Sequence, residues 1–289
     1  MSQPWRAGVS VAAVCLLGLT AWPPLVARQH EPSRPAVAPQ PTAPPATALA
    51  IAQRRFYDGR YLEAADLALA LRADAPSQLA SYELRTSALL FQIKRLVGEA
   101  KDKEKAFKAC ATCPELLALL LADVKAGQEA ARATLAEAPA NETARFYLGK
   151  LNLNYVWLQL GPLGKRTGWN EYWEARRSMD AVLEKNPTHV RARVARAWIE
   201  YIVDTRTPWG FGWVLGGGSK KRALETLRAA ASAPDSEFFD RTEAEFALWE
   251  MQVRERDVTA AVNSARRLAA DFPENRELIR FLAEHKATK

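Results

Sequence analysis

Residues 59–76, GRYLEAADLALALRADAP, carry the pattern that decides the fold. Apolar side chains recur there at the spacing of one helix face, at Tyr61, Ala64, Ala65, Ala68 and Leu71. The small residue Ala64 stands twelve positions before Pro76. Alanine lets two helices approach closely, and proline begins one helix or closes another. The stretch therefore predicts a helix that packs against a neighbour and ends before the proline.

The same spacing recurs along the chain. Three further pairs show it, the last one residue shorter: Ala175 and Pro187, Ala261 and Pro273, and Ala223 and Pro234. No pattern typical of strands stands out beyond residue 48. We therefore predict an all-α domain over residues 48–289 that is built from helical hairpins.

This arrangement resembles the tetratricopeptide repeat, whose second helix carries small residues on its packing face and ends before a proline. The resemblance covers about residues 48–286 and is least regular over residues 82–140. It implies a solenoid of antiparallel helix pairs in a right-handed superhelix. A shorter similarity involves residues 216–221, GGGSKK, which resemble loops in the periplasmic T-components of TRAP transporters, repeat proteins thought to bind small solutes.

Two consecutive units are longer than the usual repeat. Gly149 and Ala197 are 48 residues apart, as are Ala175 and Ala223, whereas the usual period is about 34 residues. We therefore expect about fourteen extra residues between the paired helices of each unit. The glycine-rich segments 160–170 and 205–219 fit these insertions as loops, which stacking of neighbouring repeats would bring side by side.

The N-terminal segment, residues 1–27, is typical of a targeting signal. An apolar run extends from Ala7 to Trp22 after the positive charge of Arg6. Its length suits a signal peptide and is short for a membrane span. Leu19 and Leu25 stand where cleavage prefers a small residue, so a cleaved leader and an uncleaved membrane anchor both stay open.

A linker follows the signal. Residues 28–47 contain six prolines, which favour an extended, semi-rigid chain. We therefore expect an exported protein of the periplasm or cell envelope, with a possible membrane tether through residues 7–22.

Cysteine usage agrees with export. Apart from Cys15 in the leader, the chain contains only Cys110 and Cys113. In an oxidising compartment this pair is expected to form a local disulfide, although the same spacing serves oxidoreductases. Pro114 stands where a c-type haem motif needs histidine, and no zinc ligand set accompanies the pair. The sequence therefore indicates neither a metal nor a cofactor.

Aromatic residues concentrate between positions 157 and 213. Packing between helices is the favoured interpretation for three of them, Trp157, Trp173 and Trp198. Aromatic residues in the predicted loops instead suit a lid or a partner-binding surface, with bracing of the loops as the alternative. The candidates for such a surface are Trp169, Trp209, Phe211 and Trp213.

The segment 216–221 ends the second predicted loop and opens a helix. Free amides, the helix dipole and the charges of Lys220 and Lys221 would suit an anion, and both lysines join the candidate partner-binding surface. The competing interpretation is a plain helix cap by Ser219.

Basic side chains of two neighbouring predicted helices form a further group. The group contains Arg176, Arg177, Arg191, Arg193 and Arg196. We expect a solvated face or ion pairs with Glu171, Glu174 and Glu200. Nucleic-acid binding is disfavoured because the chain carries an export signal.

The composition is that of a folded binding domain. The 289 residues are 48% hydrophobic and carry a net charge of +7, which permits an anionic partner without requiring one. The three histidines do not form a catalytic pattern, so we do not predict an enzyme. The sequence predicts an exported scaffold that binds a protein or peptide in the cell envelope. The alternative is a periplasmic repeat protein that binds a small ligand.

Overall fold

A computed structural model describes residues 47–72, 79–165, 167–206, 215–234 and 236–285. These residues belong to one compact unit, Pro45–Lys289. The predicted signal and all but the last residue of the predicted linker lie outside the described residues.

The described residues form helices and contain no strand, which confirms the all-α prediction. The twelve helices are α1 (Ala48–Tyr57), α2 (Tyr61–Ala70), α3 (Leu79–Val97), α4 (Lys103–Ala109), α5 (Cys113–Glu137), α6 (Glu142–Leu160), α7 (Trp169–Lys185), α8 (Val190–Arg206), α9 (Lys220–Ala231), α10 (Phe238–Arg254), α11 (Val258–Asp271) and α12 (Arg276–Glu284).

Successive helices pack as pairs. Helix α1 packs on α2, α3 on α5, α6 on α7, α8 on α9, and α10 on α11. The first helices of neighbouring pairs also touch, because α3 contacts α6 and α8 contacts both α6 and α10. The short helix α4 lies between α3 and α5 in the chain. It belongs to residues 82–140, where the resemblance to the repeat is least regular.

The alanines of the repeated spacing lie where helices meet. Ala64, Ala175, Ala223 and Ala261 belong to the second helix of their pairs, and each is 0% exposed. Gly149 plays the same role on α6, since a Cβ atom there would lie 2.4 Å from Cε of Met179. The spacing therefore identified small residues on the packing faces of these helices correctly.

Polar side chains begin several helices. Asn141 accepts a hydrogen bond from the amide of Ala144, and Asn275 accepts from the amides of Glu277 and Leu278. Such caps satisfy amides that have no partner inside the helix.

The structure corrects the sequence analysis on the first insertion. Helices α6 and α7 have 19 and 17 residues, and together exceed a 34-residue period before any connection is added. The connection is limited to residues 161–168, so Trp169 is the first residue of α7 and not a loop residue. The extra length continues the helices because residues such as Leu158 stay buried to the end of α6.

Both ends of the compact unit meet. The Tyr57 ring at the end of α1 lies 5.2 Å from the ring of Phe246 and 5.6 Å from that of Phe272. The side-chain amide of Asn275 donates to the carbonyl of Tyr57 at 2.7 Å, and Arg60 pairs with Glu274 at 2.6 Å. The first pair of helices is therefore covered by the last.

Within the described part of the chain, no helix combines the length and apolar character needed to cross a bilayer.

Candidate functional site

The first feature of the site is Trp169, which has 52% of its surface exposed. Its ring meets the ring of Tyr172 edge-on, with centroids 6.3 Å apart. Tyr172 is only 7% exposed. The indole thus contacts a buried ring, and about half of the Trp169 surface faces solvent.

Side chains of α7 hold the end of the second long connection. The Tyr172 hydroxyl and Arg176 Nη1 both donate to the carbonyl of Leu215 at 2.8 Å. Arg176 Nη2 donates to the carbonyl of Gly216 at 2.6 Å. The end of the second connection therefore lies against the helix that begins with Trp169.

The glycine run in this connection has a backbone role. Gly216 and Gly217 have φ values of +80° and +74°, in the left-handed region that favours glycine. A Cβ atom on Gly218 would lie 2.4 Å from the carbonyl oxygen of Glu200. The backbone must approach α8 closely there, which only glycine permits.

Backbone amides at the start of α9 find their hydrogen-bond acceptors within the protein. Ser219 Oγ accepts from the amide of Arg222 at 3.2 Å, and an Asp204 carboxylate oxygen accepts from the amide of Lys220 at 2.9 Å. Lys220 Nζ pairs with Glu255 at 2.8 Å. The negative charge of Asp204 already stands where an external anion would bind, so these contacts favour the cap interpretation.

The remaining predicted site residues are placed as follows. Lys221 is exposed and forms no ion pair with the rest of the described chain. Trp209, Phe211 and Trp213 fall within residues 207–214, which lie outside the described residues.

The helical tryptophans are partly buried. Trp157 and Trp173 pack against the core between α6, α7 and α8, and Trp198 packs against the core between α8, α9 and α10. The Arg254 guanidinium lies 5.5 Å from the Trp198 ring. These contacts fit the packing interpretation.

Cys110 and Cys113 are bonded to each other through their sulfur atoms. Cys110 is the C-cap residue that follows α4, and Cys113 is the first residue of α5 and is 0% exposed. The bond therefore joins two helices at their junction, next to the core formed by α3 and α5.

We expect thiol reagents not to label Cys110 or Cys113 in the exported, unreduced protein, because neither thiol is free. Peptide mapping by mass spectrometry separates both residues from Cys15. After unfolding and reduction, both cysteines should react. Labelling of both in the folded, unreduced protein would contradict the disulfide.

A second feature was not anticipated from the sequence. Four charged side chains from four helices meet between the hairpins: Glu83 of α3, Lys150 of α6, Arg191 of α8 and Glu243 of α10. We call this group the central charge cluster. Lys150 Nζ lies 2.6 Å from Glu243 and 3.5 Å from Glu83. Arg191 lies 2.6 Å from Glu243 and 2.8 Å from Glu83.

Every member of the central charge cluster is largely withdrawn from water. The side chains of Glu83, Arg191, Lys150 and Glu243 are 6%, 13%, 14% and 16% exposed. Burial acts to raise the pKa of Glu243, but Lys150 and Arg191 outweigh it and lower that pKa to about 2. Each carboxylate meets both cations, so the four charges balance, and Ser87 Oγ also donates to Glu83 at 3.0 Å.

Arg191 therefore corrects another expectation. It does not pair with the glutamates 171, 174 and 200, but with acids on α3 and α10. Arg196 does reach Glu200, at 3.3 Å, and also Asp180 at 2.6 Å. The helical spacing identified the local pair and missed the long-range one.

An open cleft of about 740 Å³ lies between α1, α3, α5 and α6. Its lining is mainly apolar, with Leu49, Leu71 and Leu79 among the walls and Thr134 and Asn141 among the polar groups. Tyr147 also lines it, and the Arg191 guanidinium lies 6.0 Å from the Tyr147 ring. The cleft thus adjoins the central charge cluster.

Comparison with known proteins finds no matching family model, no matching curated protein and no matching solved structure. The class that the structure itself defines is an all-α protein of helical hairpins with an exposed tryptophan beside a long connection.

Proposed function

We propose that this chain is an exported tetratricopeptide-repeat-like scaffold that binds a protein or peptide partner in the cell envelope. In this proposal the hairpins stack as a right-handed solenoid, and residues 1–27 deliver the chain as a cleaved leader or a membrane anchor. The observation that carries the proposal is the exposure of Trp169 on a fixed support.

Tryptophan contributes more than most residues to protein interfaces, because its large ring buries much apolar surface. A half-exposed tryptophan in the unbound protein leaves that contribution available. The Tyr172 ring contacts the indole, and the Tyr172 hydroxyl donates a hydrogen bond to the carbonyl of Leu215. Such support lowers the conformational entropy that is lost on binding.

Two further exposed side chains stand at helix ends that border the two connections. Leu160 at the end of α6 is 41% exposed, and Lys221 at the start of α9 is exposed. An apolar centre with a polar rim is typical of protein interfaces. Trp209, Phe211 and Trp213 belong to the proposed surface by sequence.

We expect Trp169→Ala to abolish partner binding while the melting temperature changes by only a few degrees. Truncating an interface tryptophan costs about 2 kcal/mol or more, which is at least about thirtyfold in affinity. The measurement is affinity capture from native envelope membranes, followed by titration of the captured protein.

Ile279→Ala is the matched control, because Ile279 is 51% exposed on α12 and belongs to no part of the proposed surface. Equal capture by the parent, the control and Trp169→Ala would refute the binding role. If Trp169→Ala instead loses much stability and its binding stays proportional to the amount of folded protein, Trp169 stabilises the fold and does not contact the partner.

A second candidate function is small-ligand binding, as in the transporter components that residues 216–221 resemble. The cleft of about 740 Å³ has the volume and the mainly apolar walls of a ligand pocket. It is open to solvent and is lined by neither long connection, whereas an enclosed pocket under those connections is what a small ligand would favour. Native mass spectrometry of the purified chain separates the two functions. A retained small molecule that is lost in Tyr147→Ala supports the second candidate.

A further inference from the structure

The first half of α5 carries more leucine than the described fold buries. Residues 116–121 read LLALLL. Leu116 and Leu120 are 9% and 0% exposed and face the core, but Leu119 and Leu121 are 38% and 37% exposed. These two leucines add exposed apolar surface outside the stripe of the helix that faces the core. The outer face of α5 therefore lacks a cover among the described residues.

Exposed small residues continue this face. Pro114, Ala118 and Ala122 are exposed, and the last two lie four residues apart on one side of the helix. We call residues 114–125 of α5 the outer α5 face. A partner helix can approach its alanines closely, with Leu119 and Leu121 on either flank.

Charges of opposite sign stand at the two ends of the outer α5 face. Glu115 is exposed and forms no ion pair within the described part of the chain. Lys125 is 78% exposed, and its ion-pair contact is Glu129 at 4.0 Å, itself 64% exposed. An exposed pair of this kind contributes little and leaves the lysine available.

We infer that the outer α5 face binds the same face of a second copy of this chain, with the two helices antiparallel. Positions 115 and 125, like 118 and 122, are symmetric about Leu120. A twofold axis at that point places Ala118 next to Ala122 of the second copy. It also places Glu115 near Lys125 of the second copy, and the pair occurs twice because the interface is the same from both sides.

The charge pattern selects this occupant. A parallel arrangement would bring Glu115 next to Glu115 and Lys125 next to Lys125, which is repulsive. An anionic membrane would meet the carboxylate of Glu115 as well as the lysine. Of these three arrangements, the antiparallel second copy matches both the apolar centre and the two charges.

The interface is small. Residues 114–125 extend over about 18 Å of helix, so one such helix pair buries less surface than a standard-size interface. We therefore expect a dissociation constant on the order of micromolar.

Charge reversal tests the proposal. Sedimentation velocity of the full chain, in a mild detergent that keeps residues 1–46 in solution, should show a monomer–dimer equilibrium. Glu115→Lys and Lys125→Glu should each raise the dissociation constant at least about tenfold, because each replaces two attractive contacts by repulsive ones. A mixture of the two single variants should restore the dimer, since every lysine then again faces a glutamate of the other chain.

Arg228→Glu is the control, as a charge reversal on the exposed surface of α9, outside the outer α5 face. A parent chain that stays monomeric well above micromolar concentration overturns the proposal. So does a dimer that neither variant weakens, which would place the contact elsewhere, for example in residues 1–46. Partner capture through Trp169 is measured separately, so failure of this proposal leaves the proposed function intact.

Discussion

Arg191→Ala is expected to lower the free energy of unfolding by about 3–5 kcal/mol, the cost of removing one partner from a buried ion pair. Arg191 pairs with Glu83 and Glu243, and these side chains are only 6% and 16% exposed. After the substitution Lys150 alone would face both carboxylates. One negative charge would then lack compensation in a region poor in water.

Equilibrium unfolding in urea, followed by circular dichroism, measures this effect. Lys108→Ala is the control, because Lys108 pairs with Glu104 at 2.7 Å but both side chains are 74% exposed. Such a pair contributes at most about 1 kcal/mol. Equal destabilisation by the two substitutions would show that the central charge cluster does not hold the four helices together.

Acidification is expected to destabilise the fold steeply below about pH 5. Burial favours protonation of Glu243 and Glu250, but neighbouring cations outweigh it and lower the pKa of each to about 2. Lys94 and Arg254 act on Glu250 as Lys150 and Arg191 act on Glu243. In the unfolded chain both pKa values return to about 4.3.

The unfolded chain therefore binds these protons at a higher pH than the folded one does. The stabilisation from each carboxylate is complete above about pH 5 and is lost as the pH falls through the folded value near 2. Each contributes about 1–3 kcal/mol, reduced from the full pKa difference because Glu243 and Glu250 are 16% and 29% exposed.

Urea unfolding between pH 7 and pH 2.5 measures this dependence. Glu243→Gln should be less stable at pH 7 and lose less stability on acidification than the parent, because it has one fewer carboxylate to protonate. A parent chain as stable at pH 2.5 as at pH 7 would contradict the lowered pKa values.

The contacts between the first and the last helices, together with the central charge cluster, affect where a proposed partner can bind. The central charge cluster joins α3, α6, α8 and α10, and the contacts of Tyr57 join α1 to α10 and α11. The buried charges of α3, α6, α8 and α10 are therefore paired with one another. This arrangement favours binding at the exposed helix ends near Trp169, or at the cleft beside Tyr147, over threading of a peptide between the inner helices.

Local features were readable from the amino-acid sequence. The Ala-to-Pro spacing located helices with small residues on their packing faces, and Ala175 and Ala261 are fully buried there. Asn141 and Asn275 begin helices as capping residues should. A cap depends on neighbours within about four residues, and the Ala-to-Pro spacing covers one helix and its end, so a short stretch of sequence reveals both.

The same local rule failed where a helix and a loop look alike. Trp169 follows glycines and was expected in a loop, yet it begins α7. Gly168, with a φ of +90°, ends the connection immediately before it. Glycine is common both inside a loop and at its boundary, and the sequence does not distinguish these positions.

Only the tertiary structure decided which charges pair and which apolar faces stay uncovered. Arg191 reaches Glu83 across 108 positions, and Lys150 reaches Glu243 across 93. Leu119 and Leu120 are adjacent and equally apolar, but one is 38% exposed and the other 0%. Periodicity determines which residues share a helix face. The direction in which that face points depends on how the hairpins pack, which is set by contacts between residues far apart in the chain.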